Sequence, residues 1–384
     1  MSLTIHPVQS PSDQHAFYNL AWRVYQNDPH WVPHLWPQRK AYLNRKTAFF
    51  SYGEGEFWLA KRGREVVGTL GTAIDHPRNR HTGCQSGLFG FFEVLEGDYE
   101  AASALWDHAC AWSIARGLSS LVGPYSFSAN EDSGFLVEGF QYSPAIMMGH
   151  TPPYYAQYAE KYGFQRSQES LAYRFDLEKI KFDVQNGPEI LLRIAQRSRS
   201  RHGDKSSLGA SAIRFPDMRQ WDKEIRLLHT VYNTALANLT DFSPIELVEF
   251  NAQAMDLKSI IDPELVFIAE VEGKVAGFSL GLPNIMEALK YANGLRYPWD
   301  YLRLAFARRK ISGVSFKILA IDPQYWGYGL EAQMFVEMAK TVILKGYTWI
   351  DGSLTGDTNP QTNKLAARLG AYVYRRYREY KLAF

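Results

Sequence analysis

The chain has 384 residues, more than one hydrophobic core accommodates, so two domains are expected. Its formal net charge of +2 argues against a dominant attraction of the whole chain to nucleic acid or to an anionic membrane surface. Apolar residues make up 46%, enough for globular cores, yet no apolar run approaches the ~20 residues of a membrane span.

The start, Met1-Ser2-Leu3-Thr4-Ile5-His6, lacks a basic segment followed by an apolar one, so no secretory signal is expected. The two cysteines, Cys84 and Cys110, form no CxxC pair, and both features fit a cytoplasmic protein. Trp31-Val32-Pro33-His34-Leu35-Trp36-Pro37 is an aromatic cluster that could floor a ligand pocket or cover a domain edge, with packing the favoured reading. Phe57–Ala60 and Val66–Leu70 predict a hairpin around a charged turn containing Gly. A helical pattern runs from Ala101 to Arg116, and Leu118–Val122 predicts a short strand. The turn before that helix, Glu96-Gly97-Asp98-Tyr99-Glu100, carries three carboxylates and is a poor place for an anion.

The order of parts then recurs. Val266–Ala269 and Val275–Ser279 repeat the hairpin: Ala60 matches Ala269 and Gly68 matches Gly277, each 209 residues apart (269 − 60; 277 − 68). Lys161-Tyr162-Gly163-Phe164 matches Arg368-Leu369-Gly370-Ala371 at 207 (370 − 163). A repeat of about 208 residues predicts a duplicated α/β domain. The boundaries predicted are 1–178, a linker and helix at 179–209, and 210–384. The basic run Arg197-Ser198-Arg199-Ser200-Arg201-His202 lies in that linker and, being short and free of aromatics, reads as solvated. The insert Asn284 to Lys310, ending Arg308-Arg309-Lys310, is expected near the site mouth as a lid or a contact for an outer phosphate.

Ser315 to Ile321 predicts a buried strand, ended by Asp322-Pro323. Then comes Gln324-Tyr325-Trp326-Gly327-Tyr328-Gly329, a Q-x-x-G-x-G turn, and a helix from Leu330 with Leu330, Met334, Met338 and Val342 on one stripe. Glycines there allow several amides to converge at a helix N-terminus, an arrangement that favours a phosphate. Tyr347–Ile350, Asn359, a helix over Gln361–Arg368, Leu369-Gly370-Ala371 and a strand from Tyr372 to Leu382 complete the pattern.

With these motifs the C-terminal half resembles the Gcn5-related N-acetyltransferase (GNAT) superfamily. Gln324, Gly327 and Gly329 match its pyrophosphate motif, and Asn359 with Leu369-Gly370-Ala371 its second motif. The N-terminal half is similar to a diverged copy. Its phrases Gly123-Pro124-Tyr125-Ser126-Phe127-Ser128 and Thr151-Pro152-Pro153-Tyr154-Tyr155 are similar to those of bacterial tandem GNAT proteins. The resemblance implies an α/β (α+β) fold of two tandem GNAT-like domains, each a mixed, mostly antiparallel sheet flanked by helices. It implies that Phe316–Ile321 and Thr348–Ser353 splay apart, and that the backbone of Leu319, Ala320 and Ile321 pairs with pantetheine. The amides of Tyr325, Trp326, Gly327, Tyr328, Gly329 and Leu330 would hold the pyrophosphate, with Gln324 and Asn359 in the same site.

The implied cosubstrate is acetyl-CoA or another acyl-CoA, with no metal, and an amine attacking the thioester directly. The match departs at three places. Ala366 stands where many of these enzymes have an acid tyrosine, Glu331 where a small residue is usual, and aromatics fill the turn in place of basic residues. Candidates for proton transfer are Asp351, Tyr232, Asp241 and Glu249, each also readable as a cap, surface carboxylate or packed tyrosine. The histidines form no metal-binding pattern, and Cys110 reads as core. The expected partner is a small-molecule or peptide amine, with no specific nucleic acid and no membrane; a homodimer stays open. The competing readings are a scaffold that kept the fold without chemistry and a Fem-like transferase using aminoacyl-tRNA, which the +2 charge disfavours.

Overall fold

The computed structural model describes residues 2–127, 132–179, 211–237, 244–326 and 329–384. The chain opens with β1 (Leu3–Pro7), α1 (Pro11–Val24), α2 (Trp36–Leu43), β2 (Gly53–Arg62), β3 (Glu65–Asp75) and α3 (His76–Thr82). It continues with β4 (Ser86–Val94), α4 (Tyr99–Ile114), β5 (Ser120–Gly123), β6 (Phe135–Glu138), α5 (Tyr154–Tyr162) and β7 (Gln165–Asp176). Next come β8 (Ser211–Arg214), α6 (Trp221–Leu236), α7 (Leu247–Leu257), β9 (Val266–Val271), β10 (Lys274–Pro283), α8 (Met286–Leu289) and α9 (Pro298–Ala307). Last are β11 (Gly313–Ile321), α10 (Leu330–Leu344), β12 (Trp349–Gly356), α11 (Pro360–Arg368) and β13 (Tyr372–Ala383).

Two compact units form. Unit 1 is Met1–Leu171, Met286–Lys310 and Tyr374–Phe384, and unit 2 is Ala172–Ile285 and Ile311–Val373. The predicted division into consecutive halves therefore misplaces two segments. Element order along a chain does not say which sheet a strand joins. The last strand, β13, pairs antiparallel with β5, Tyr380 opposite Gly123 through Ala383 opposite Ser120. The insert carrying α8 and α9 is tied to unit 1: Tyr18 donates to the Gly294 carbonyl, Trp22 Nε1 to Asn293 Oδ1 and Arg296 to Asn19 Oδ1. The lid expected over the second domain's site is thus built into unit 1.

The unit 1 sheet runs β1-β2-β3-β4-β5-β13-β7, with β6 beside β13; unit 2 runs from the second half of β7 through β12-β11-β10-β9-β8. The duplication is visible in detail. Register shifts place an extra residue at Val67 in β3 and at Ala276 in β10, again 209 apart (276 − 67). Each sheet carries helices on both faces. In unit 1, α4 packs Leu105, Trp106 and Ala109 on Phe89 and Phe92, while α1 and α2 pack Phe17, Tyr42 and Leu43 on the opposite face. In unit 2, the predicted stripe Leu330, Met334, Met338 and Val342 is buried against Phe267, Ala269 and Val314. Leu228, Val231 and Ala235 of α6 cover Ile268, Phe278 and Ala320 on the other side.

Candidate acyl-CoA site

The site begins with how two strands part. Parallel pairing of β11 and β12 covers Gly313–Trp349, Val314–Ile350 and Ser315–Asp351 and then stops. Both strands continue beyond it. Strand β11 stays on β10, pairing Ile321 with Gly277, but its register slips between Leu280 and Gly281 so that Lys317 is an extra residue. Such a bulge bends its strand and sharpens its twist. Two consecutive side chains then turn to the α6 face: Lys317 reaches Asp351, and Ile318 joins the Leu228–Phe278 cluster. On the other arm Ser353 has φ +62°, a left-handed conformation that breaks the strand's regular path. Past Ser315, the backbone of Leu319, Ala320 and Ile321 is paired on the β10 side and has no register partner in β12.

The apex of this crevice is polar and buried. Lys317 Nζ lies 3.3 Å from Asp351 Oδ2 and 3.5 Å from Ser353 Oγ, and Ser353 donates its amide to Asp351 Oδ1. Asp351 is fully buried, so a charge that would be costly in isolation is held by a cation and an amide. Ser315, opposite Asp351 in register, has a buried hydroxyl without a hydrogen-bond partner.

Above the open arm of β11 sits the start of α10. Gly329, at φ +81°, is its N-cap, and among the described residues no side chain caps the helix. Its first-turn amides therefore point outward with the positive end of the helix dipole. The preceding turn is less available than its sequence suggests. Asp322 Oδ1 accepts from the Gln324 amide, and the Tyr325 and Trp326 amides donate to the carbonyls of Asp322 and Pro323. Of the predicted donors Tyr325–Leu330, the Tyr325 and Trp326 amides are thus engaged within the turn and Gly329 and Leu330 stand at the helix start; Gly327 and Tyr328 lie outside the described residues. Trp326 Nε1 donates to the Ile321 carbonyl and fixes the ring beside the strand end. Glu331 lies in the first turn of α10. Gln324 holds Asp322, and Asn359 caps α11 by accepting from the Thr362 amide.

Among the proton-transfer candidates, Asp241 lies outside the described residues. Tyr232 packs beside Phe250 and the Leu228–Phe278 cluster. Burial, reinforced by the Glu249 carboxylate, pushes its phenol up to about 12, so it holds its proton at neutral pH. Glu249 is buried and accepts from Gln253 Nε2. Ala366 is buried, and its helix is held instead by Asn363, whose Oδ1 accepts from Tyr173. The Lys317–Asp351–Ser353 cluster is the part that sequence reasoning did not assemble. Its members lie 34 and 36 residues apart, and only the pairing register brings them together.

Unit 1 has the same frame with a different filling. Parallel pairing of β4 and β5 also covers three registers, Ser86–Ser120 to Leu88–Val122, and β4 also bulges, near Phe91. Here the chain after β5 stays on β4: the Tyr125 amide donates to the Phe89 carbonyl at 2.8 Å. A Cβ on Gly90 would lie 1.7 Å from the Tyr125 carbonyl oxygen, so the two backbones touch. Phe127 is fully buried among Phe49, Phe57 and Phe91. At the start of α4, Asp98 accepts from the Ala101 amide and is clamped by Arg62 in a bidentate pair. Carboxylates occupy the anion position, as the sequence predicted.

No family model matches the chain. It is 30% identical over 390 residues to a bacterial ceramide synthase from Caulobacter vibrioides, covering 99% of this chain and 97% of that one. The chain belongs to the bacterial ceramide synthase family. Protein YghO of Escherichia coli, 26% identical over 377 residues, covers 96% of this chain and 93% of its own. Among solved structures, a tandem GNAT protein from the clavulanic acid biosynthesis pathway matches with a TM-score of 0.56 at 13% identity, covering 100% of this chain and 98% of that chain. A GCN5-related N-acetyltransferase from Sphaerobacter thermophilus matches at 0.53 and 10%. At these identities the two structures speak to the fold alone. Among the described residues no cluster of three or more His, Cys, Asp or Glu side chains suits a metal, and no helix is long and apolar enough to cross a membrane.

Proposed function

We propose that unit 2 is an N-acyltransferase that moves a fatty acyl group from acyl-CoA to the primary amine of a long-chain amino alcohol, forming a ceramide-type amide. The observation that carries the reading is the open crevice between β11 and β12, with an uncapped helix N-terminus beside it. The full-length similarity to a bacterial ceramide synthase supports the acceptor class.

In this reading the pantetheine arm lies along Leu319–Ile321 as an added strand, and the pyrophosphate rests on the amides from Gly329 onward. The acceptor enters from the α6 side, where Ile318, Leu280 and Phe250 make an apolar wall suited to an alkyl chain. The amine nitrogen attacks the thioester carbonyl, a backbone amide of β11 stabilises the oxyanion, and the C–S bond breaks to release the CoA thiolate. Asp351, steadied by Lys317, is the candidate to take the amine proton. Tyr232, protonated at neutral pH, is the candidate donor in the absence of a tyrosine at Ala366, with Glu249 behind it.

The test is thiol release from palmitoyl-CoA with sphinganine, compared with acetyl-CoA and with small hydrophilic amines. Sphinganine-dependent release with N-palmitoyl product is expected. Release only with hydrophilic amines overturns the acceptor, and a thermal shift by acyl-CoA without any release marks a binding protein.

A further inference from the structure

Helix α9 breaks the usual rule for a surface helix. Its buried stripe is thin: Asp300 is fully buried and closes the helix start through the Tyr297 amide, with Leu304 and Ala307 half-buried beside it. At 3.6 residues per turn, Trp299, Leu302 and Phe306 fall within an arc of roughly 60° on the far side. That side should be polar in a helix that meets only water. Instead the three are 52%, 63% and 69% exposed, and Tyr297 stacks on Trp299 at 4.8 Å. The helix runs directly into three consecutive cations, Arg308, Arg309 and Lys310, all of them exposed.

We propose that α9 is an interfacial docking helix that seats the protein on an anionic lipid bilayer. Aromatic rings and apolar chains enter the headgroup boundary while the cations meet lipid phosphates. Charge decides between lipid and a second copy. Two α9 helices face to face would bring like charges together, whereas an anionic bilayer neutralises them. The near-neutral total of +2 does not oppose this, because attraction at a surface falls off within a Debye length and is set by the local cluster. The inference stands on this helix of unit 1 and not on the acyl-transfer reading of unit 2.

The experiment is co-sedimentation of the full chain with phosphatidylglycerol or phosphatidylcholine vesicles at low and high salt. Binding to phosphatidylglycerol is expected, at least about tenfold tighter than to phosphatidylcholine and weakened by salt. An R308Q/R309Q/K310Q variant should lose on the order of a hundredfold, about fivefold per charge. An L302S/F306S variant should lose at least about tenfold with an unchanged melting point, since both side chains are exposed. The proposal is overturned by no sedimentation with phosphatidylglycerol, or by full binding of L302S/F306S. It is equally overturned by a lipid-free dimer, seen in sedimentation equilibrium, that L302S/F306S splits.

Discussion

The two units share one frame and differ in what fills it. Each has a hairpin with an extra residue at matched positions, a parallel pair that stops after three registers, and a bulge just beyond. In unit 2 the strands part and α10 begins uncapped. In unit 1 backbone from Gly123 to Tyr125 lies on β4, Phe127 fills the space beyond, and Asp98 caps the helix. The two fillings therefore differ by two local features, a chain that stays on its neighbour and a carboxylate at a helix start, and neither disturbs the sheet.

The largest test attacks the plug. Gly90→Ala puts a Cβ into the Tyr125 carbonyl, a backbone clash that no rotamer relieves. Unit 1 should lose about 5 kcal/mol or its cooperative transition altogether, read by urea unfolding. A near-neutral result would mean that the segment does not lie on β4. Next comes Lys317→Met, which strands a fully buried Asp351 and should cost unit 2 about 3 kcal/mol. The K317M/D351L pair should recover most of that stability while transfer stays abolished. If both losses add, the two side chains do not act as a pair.

Gly329→Asp puts a carboxylate at the N-cap of α10, on a left-handed backbone (φ +81°) unlike that of Asp98 (φ −97°). A carboxylate then competes for the first-turn amides, as Asp98 does in unit 1. Acyl-CoA should cease to raise the melting point, and kcat/KM should fall about 100-fold or more, while the protein without ligand melts within a few degrees of the parent. The reciprocal Asp98→Gly should create no second binding site, because the crevice there remains full. Acyl-CoA stoichiometry measured by calorimetry should stay at one per chain in both parent and Asp98→Gly.

Much of this was legible in the residues. Helix α10 could be read from its period-four stripe and the blocked anion position of unit 1 from its carboxylates, while the crevice was implied by the resemblance that the glycine turn carries. What escaped depends on which strand lies beside which. Asp351 was a candidate on its own, and Lys317 was not among the candidates until register joined the two. The bulge at Lys317 breaks strand alternation without any glycine to announce it. Strand β12 runs on to Gly356 through Gly352, Ser353, Leu354 and Thr355, where a single apolar residue sets no alternation. Within the Q-x-x-G-x-G turn, the Gln324, Tyr325 and Trp326 amides are taken up locally by Asp322 and Pro323, which the spacing of the glycines does not announce.

The smallest effect separates the units by acid. In unit 1 the buried His150 imidazole donates from Nε2 to Asp28 and presents Nδ1 to the Arg375 guanidinium 3.0 Å away. That network fixes the neutral tautomer: a second proton at Nδ1 would face a cation that is already donating. Burial, then Arg375, lowers the imidazole from 6.5 to about 4, with Asp28 opposing. The unfolded chain therefore binds a proton between pH 6.5 and 4 that the folded chain refuses. Stability present at neutral pH is lost as pH falls through that window, by about 2 kcal/mol between roughly pH 7 and pH 5. A transition assigned to unit 1 should shift accordingly in calorimetry, and His150→Gln should flatten its dependence. A parent profile flat across that range would show that the fold leaves the imidazole's proton affinity unchanged, with the Asp28 carboxylate offsetting both burial and Arg375.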